Sequence, residues 1–101
     1  MEKLHTLNKT NLSACFKLCL AAIGPEDRLL LIEDGVFCGI KGSAACEEIT
    51  ATLGTQQVFC LQEDAMARGV ADKQADFICL IDYDRFVSLT EESKTVVSWH
   101  S

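Results

Sequence analysis

The chain has 101 residues, 49% of them hydrophobic, and a formal charge of −6. That length suits one domain, and nine scattered basic residues with no Lys/Arg cluster exclude a phosphate-backbone or anionic-membrane surface. The longest apolar run, "LCLAAI" (18–23), is far too short to span a bilayer.

In chain order, "KLHTLN" (3–8) reads as a first strand. "NLSACFKLCLAAI" (11–23) reads as a helix, with Asn11 as N-cap and Gly24-Pro25 as the stop, Gly24 in the left-handed position. "RLLLIE" (28–33) is apolar almost throughout, as in a strand covered on both faces. "SAACEEITATL" (43–53) is a second helix, capped by Ser43 and stopped by Gly54. "QVFCL" (57–61) is a strand, "DAMAR" (64–68) a short helix ended by Gly69, and "FICLID" (77–82) a fourth, buried strand. "DRFVSLTEE" (84–92) is helical and "TVVSW" (95–99) is the last strand. Strands alternating with helices predict an α/β sandwich with a mainly parallel sheet and helices on both faces. Ligands in such folds gather at the carboxyl edge of the strands.

A chain this short buries only about 60–65% of the surface its unfolded form exposes, yet its mean hydropathy is positive. The apolar surplus points to a subunit interface. The N-terminal "MEKLHTLNKT" has no charged region followed by an apolar one, so no signal peptide is expected. The six cysteines are then expected to be reduced. With no C-x-x-C pair and with His5 and His100 at opposite ends, no metal site or cofactor is expected.

Three strands end in acids: Glu33 and Asp34, Glu63 and Asp64, Asp82 and Asp84. In a parallel sheet these share one rim. A regulatory domain binding Mg²⁺ through Glu33, Asp34, Asp64 and Asp82 is one reading; capping of helix N-termini is the other, and the favoured one. A phosphoacceptor receiver would want acids after the first strand, which here ends in Asn8-Lys9. The rim acids also disfavour a thiolate at Cys38, and Glu47 and Glu48 do the same for Cys46 on the second helix.

Cys60 and Cys79 fall in predicted buried strands and read as core packing. Cys15 and Cys19 share a helix face opposite Lys17, which turns them inward. A disulfide between them is disfavoured, because Cβ atoms about 5–6 Å apart exceed the ~3.5–4.5 Å that a bridge needs. Leu18, Leu20 and Ala21 make the helix apolar nearly all round, so its outer face is open to another subunit. His5 reads as a structural histidine near a strand edge or as a general base without a nameable partner. Trp99 reads as a packing or interface anchor.

"LHTLNK" (4–9), "LLLIEDGV" (29–36), "VFCLQEDAMARGV" (58–70), "IDYDRFVSLT" (81–90) and Trp99 follow in order. This set resembles the TusB/DsrH family of small sulfur-relay proteins, from Leu4 to Trp99. The resemblance implies a DsrEFH-like three-layer α/β/α sandwich with a five-stranded, mostly parallel sheet, and the five strands counted above agree. It implies a cytoplasmic dimer of heterotrimers with TusC/DsrF-like and TusD/DsrE-like subunits. Through that complex, persulfide sulfur passes from TusA-like to TusE-like proteins, towards 2-thiolation of the tRNA wobble uridine, or else serves dissimilatory sulfur oxidation. The main acceptor cysteine belongs to the TusD/DsrE-like subunit. DsrH-type members carry a cysteine in the first helix, and Cys19 stands at the matching distance before "EDG". The resemblance thus implies a mainly structural subunit, with Cys19 as a secondary persulfide carrier.

Overall fold

A computed structural model describes residues 2–54 and 57–100. Five strands, β1 (Lys3–Leu7), β2 (Arg28–Leu31), β3 (Val58–Leu61), β4 (Ile78–Ile81) and β5 (Thr95–Trp99), form one sheet of order β4-β3-β2-β1-β5. Every pairing is parallel, as the alternation of strands and helices requires. The helices are α1 (Ala14–Ala22), α2 (Ala44–Leu53), α3 (Gln62–Ala67) and α4 (Tyr83–Glu92), with 3₁₀ segments at Glu33–Gly39 and Ala71–Lys73.

The strand order steps in one direction from β1 to β4 and then returns across the sheet to β5. Right-handed crossovers therefore put the first helices on one face and α4 on the other. Side-chain alternation follows suit. Leu29, Leu31, Val58, Cys60 and Ile78 join Cys15, Phe16, Cys19 and Leu20 of α1 and Ala45, Cys46 and Ile49 of α2 in the larger core. Leu4, Leu30, Phe59 and Ile81 meet Leu89 of α4 in a smaller one, with Phe86 packed beside it.

Helix boundaries differ from expectation at both ends of α1, and α3 begins at Gln62, ahead of the expected Asp64. Ser13, not Asn11, caps α1, its hydroxyl accepting the Cys15 N–H at 3.2 Å. Thr10 closes a turn of its own, accepting the N–H of Leu12 on its hydroxyl and of Ser13 on its carbonyl, which delays the helix. Gly24 lies outside the left-handed region. It starts a turn instead: the Asp27 N–H donates to the Gly24 carbonyl at 3.1 Å, and the Gly24 N–H donates to Asp27 Oδ2 at 2.9 Å. Gly54 and Gly69 stop their helices with φ of 62° and 70°, as expected.

Cys79 is exposed, contrary to its expected burial. β4 is an edge strand, and Cys79 alternates onto the face that only α4 covers.

Candidate functional site

The carboxyl rim is knitted from the ordered motifs. At the end of β1, Asn8 Nδ2 donates to Glu33 Oε2 at 3.0 Å. Leu7 offers its carbonyl to the Ile32 N–H at 3.0 Å. Gly35 runs so close to that carbonyl that a Cβ would sit 2.0 Å from it, so the "EDG" turn admits no side chain at its third position. Glu33 itself has φ 49°, a costly conformation for a residue with a Cβ. The turn is held by the Glu33 N–H donating to Asp64 Oδ2 at 2.6 Å. Asp34 accepts from Arg68 Nε at 3.0 Å, which ties "EDG" to "ARG". Glu63 accepts the Tyr83 N–H at 3.2 Å, and Asp82 caps α4 by accepting the Arg85 N–H at 2.9 Å.

The four carboxylates of the Mg²⁺ reading are thus engaged with an amide, backbone N–H groups and a guanidinium. Among the described residues no three His, Cys, Asp or Glu side chains converge as a metal site would require. The rim is a structural seam: the capping reading holds at the start of α4, where Asp82 and Glu63 take backbone N–H groups, while the 3₁₀ segment at Glu33–Gly39 and α3 have no side-chain cap.

All six cysteines are free thiols, and five are buried. Cys19 is fully buried. Burial first, then the neighbouring Cys15 and Cys38, push its thiol up to about 12. Burial pushes Cys38 up to about 12 as well, against the opposing N–H of Asn11 and with Cys46 adding to it. Cys60 rises to about 12 through burial and Asp64. Cys46 is raised by burial and Glu47. A thiolate is the nucleophile, and each of these shifts disfavours it. The wheel reading of Cys15 and Cys19 as inward-facing agrees with this geometry.

His5 has a partner after all. On the face of β1 turned toward α1, it is 1% exposed. Its Nε2 lies 3.0 Å from Asp27 Oδ2, and its Nδ1 accepts the Trp99 indole N–H at 3.0 Å. Asp27 also accepts the Gly24 N–H on Oδ2 and the Lys3 N–H on Oδ1. Burial pushes the Asp27 carboxyl up, but the hydrogen bonds from Gly24, His5 and Lys3 outweigh it and hold it below the usual range. Both ring nitrogens of the buried imidazole are engaged, so it has a structural rather than a general-base setting. Asp27 is the residue that sequence reasoning missed. Its only signal was a carboxylate placed directly before an apolar strand.

Large apolar side chains stand exposed around the molecule: Leu12 and Leu18 near α1, Met66 on α3, Tyr83 and Val87 on α4, and Val96 on β5. A shallow, mainly apolar groove of about 480 Å³ lies between α2 and the segment before β4, lined by Lys41, Cys46, Thr50, Ala51, Ala75 and Phe77. None of the rim carboxylates lines it. Among the described residues no helix is long and apolar enough to cross a membrane.

The family model described as "DsrH like protein" matches residues 10–96. The chain belongs to the DsrH family. This agrees with the resemblance carried by the ordered motifs, and it gives a sulfur-relay subunit role family-level support. Within the DsrH family, relatives called "Protein TusB" from Escherichia coli (strain K12) and Serratia proteamaculans (strain 568) are each 33% identical over 96 residues, covering 95% of this chain and 99% of theirs. Two solved structures share the fold. The ychN protein of E. coli superposes with a TM-score of 0.73 at 19% identity, over 97% of this chain and 99% of that one. Protein Tm0979 from Thermotoga maritima gives 0.65 at 23% identity, over 89% and 92%. The five-stranded parallel sheet is thus an architecture that this DsrH-family chain shares with proteins of low sequence identity.

Proposed function

We propose that this protein is a structural subunit of a cytoplasmic sulfur-relay complex, assembled with TusC/DsrF-like and TusD/DsrE-like partners as a dimer of heterotrimers. The relay passes persulfide sulfur, between TusA-like and TusE-like proteins, towards 2-thiolation of the tRNA wobble uridine. The observation that carries this reading is the 33% identity to proteins called TusB along nearly the whole of both chains. Those relatives favour the tRNA branch over sulfur oxidation, since the DsrH family name by itself serves either.

The structural role draws support from the thiols. Cys19 is the position for secondary sulfur carriage, but it is fully buried and its thiol is raised to about 12. The rim adds no alternative chemistry, because its carboxylates hold turns and helix ends. The exposed apolar side chains suit a chain that buries them against partners.

Co-expression with TusC- and TusD-like subunits tests the assignment. A stable complex containing all three is expected on size exclusion. Elution of this chain alone as a monomer, with the other two assembled without it, would overturn it.

A further inference from the structure

The donors around His5 fix its tautomer. An indole Nε1 carries one hydrogen and accepts none. Its 3.0 Å contact with His5 Nδ1 therefore requires a lone pair on that nitrogen. The ring proton is then on Nε2, where it meets Asp27 Oδ2 at 3.0 Å. The two ring planes lie 18° from parallel, with centroids 6.3 Å apart.

β5 needs this contact. It is an edge strand that pairs with β1 alone. Its side chains are exposed or half-buried, and Trp99 is the one that packs against the larger core. Besides the ladder, which continues to the Asn8 N–H on the Trp99 carbonyl at 3.2 Å, the strand is tied down by a 3.4 Å Thr6–Ser98 hydroxyl contact and the indole N–H.

The charges around the imidazole come from few places. Asp27, before β2, lies within hydrogen-bond reach. Arg28 points to the opposite face, over Phe59 and toward Glu92. On α1 the single charge, Lys17, turns outward to Glu48 of α2, while Cys15 and Cys19 are the titratable groups turned inward. Lys3, on β1 itself, is exposed. His100, beyond Trp99, is exposed.

We infer that His5 is a proton-sensitive latch on the C-terminal strand, closed when neutral and open when protonated. When the indole N–H swings off Nδ1, solvent reaches that lone pair; a proton taken there turns the acceptor into a donor, so the indole N–H has nothing to return to. Asp27, fixed by the Gly24 and Lys3 N–H groups, keeps its hold on Nε2. Trp99, at the sheet edge, is the partner that leaves, and the end of β5 loosens with it. This device is independent of which complex the chain joins.

Imidazole ¹⁵N–¹H correlation spectra of the full chain, recorded with the indole N–H of its sole tryptophan from about pH 8 to pH 5 where histidine charges, test the latch. At the alkaline end the Nε2–H tautomer is expected. On acidification a proton is expected at Nδ1, and solvent exchange of the indole N–H rises by roughly tenfold at the same midpoint, about the factor carried by one hydrogen bond. In His5→Asn the indole exchange stays flat, while in His100→Gln the transition persists. An Nδ1–H tautomer at high pH, an imidazole that stays neutral throughout, or an indole still protected after Nδ1 is protonated would each overturn it. So would a transition that survives in His5→Asn or vanishes in His100→Gln. Should His5→Asn not fold, the wild-type and His100→Gln spectra decide.

Discussion

The two faces of the sheet grow from the same alternating strands, yet they carry different weights. One packs Leu29, Leu31, Val58 and Cys60 beneath α1 and α2, with four further thiols enclosed among them. The other packs Leu4, Leu30, Phe59 and Ile81 beneath α4 alone and leaves Cys79 and Val96 exposed toward its two edges. The lesson concerns the cysteines. On the thick face a thiol is a small hydrophobe in a dense interior. On the thin face the same residue type reaches solvent.

Substitutions can break or sharpen that contrast. Ile49→Ala, in the centre of α2 and fully buried, is expected to cost about 4 kcal/mol in urea unfolding, within the range for a cavity that cannot collapse. Leu89→Ala, equally buried on α4, is expected to cost only about 2 kcal/mol, because a single covering helix can settle into the gap. Equal losses at the two positions would remove the distinction between the faces.

Asp27→Asn probes the larger face at its margin and is expected to cost about 1.5–3 kcal/mol at pH 7, the scale for hydrogen bonds to a charged group. Its pH dependence follows from the depressed carboxyl. Asp27 contributes stability that is present above the unfolded value of about 3.9 and is lost as pH falls through the lower folded value. The acid limb of the stability curve is therefore expected to be shallower in Asp27→Asn, and an unchanged limb would deny the carboxylate its role. The smallest effect belongs to the thin face. Cys79→Ser is expected to shift stability by less than about 0.5 kcal/mol. Under native alkylation Cys79 is expected to react first, and modification of Cys15 at a comparable rate would contradict the enclosure of the thick face.

Much of this was legible in the sequence because it is local or periodic. The five apolar runs became five strands, the Ser43 and Gly54 punctuation bounded α2, and the ordered motifs pointed to the family. What was hidden depends on distance along the chain. The partner of His5 lies 22 residues away, and Trp99 lies 94 residues away, so no local pattern connects them. Cys79 was misjudged because an apolar run does not reveal whether its strand is central or at an edge. Asn11 lost the cap to Ser13 because Thr10 closes a competing turn. The "EDG" motif carried a meaning that only the backbone explains: Gly35 passes against the Leu7 carbonyl.

The most direct test of a structural rather than nucleophilic role is to load the folded chain from a persulfide donor and map it by mass spectrometry. The Cys19 peptide is expected to keep its unmodified mass. A gain of about 32 Da there, one sulfur atom as a persulfide, with the sheet still folded, would contradict the assignment.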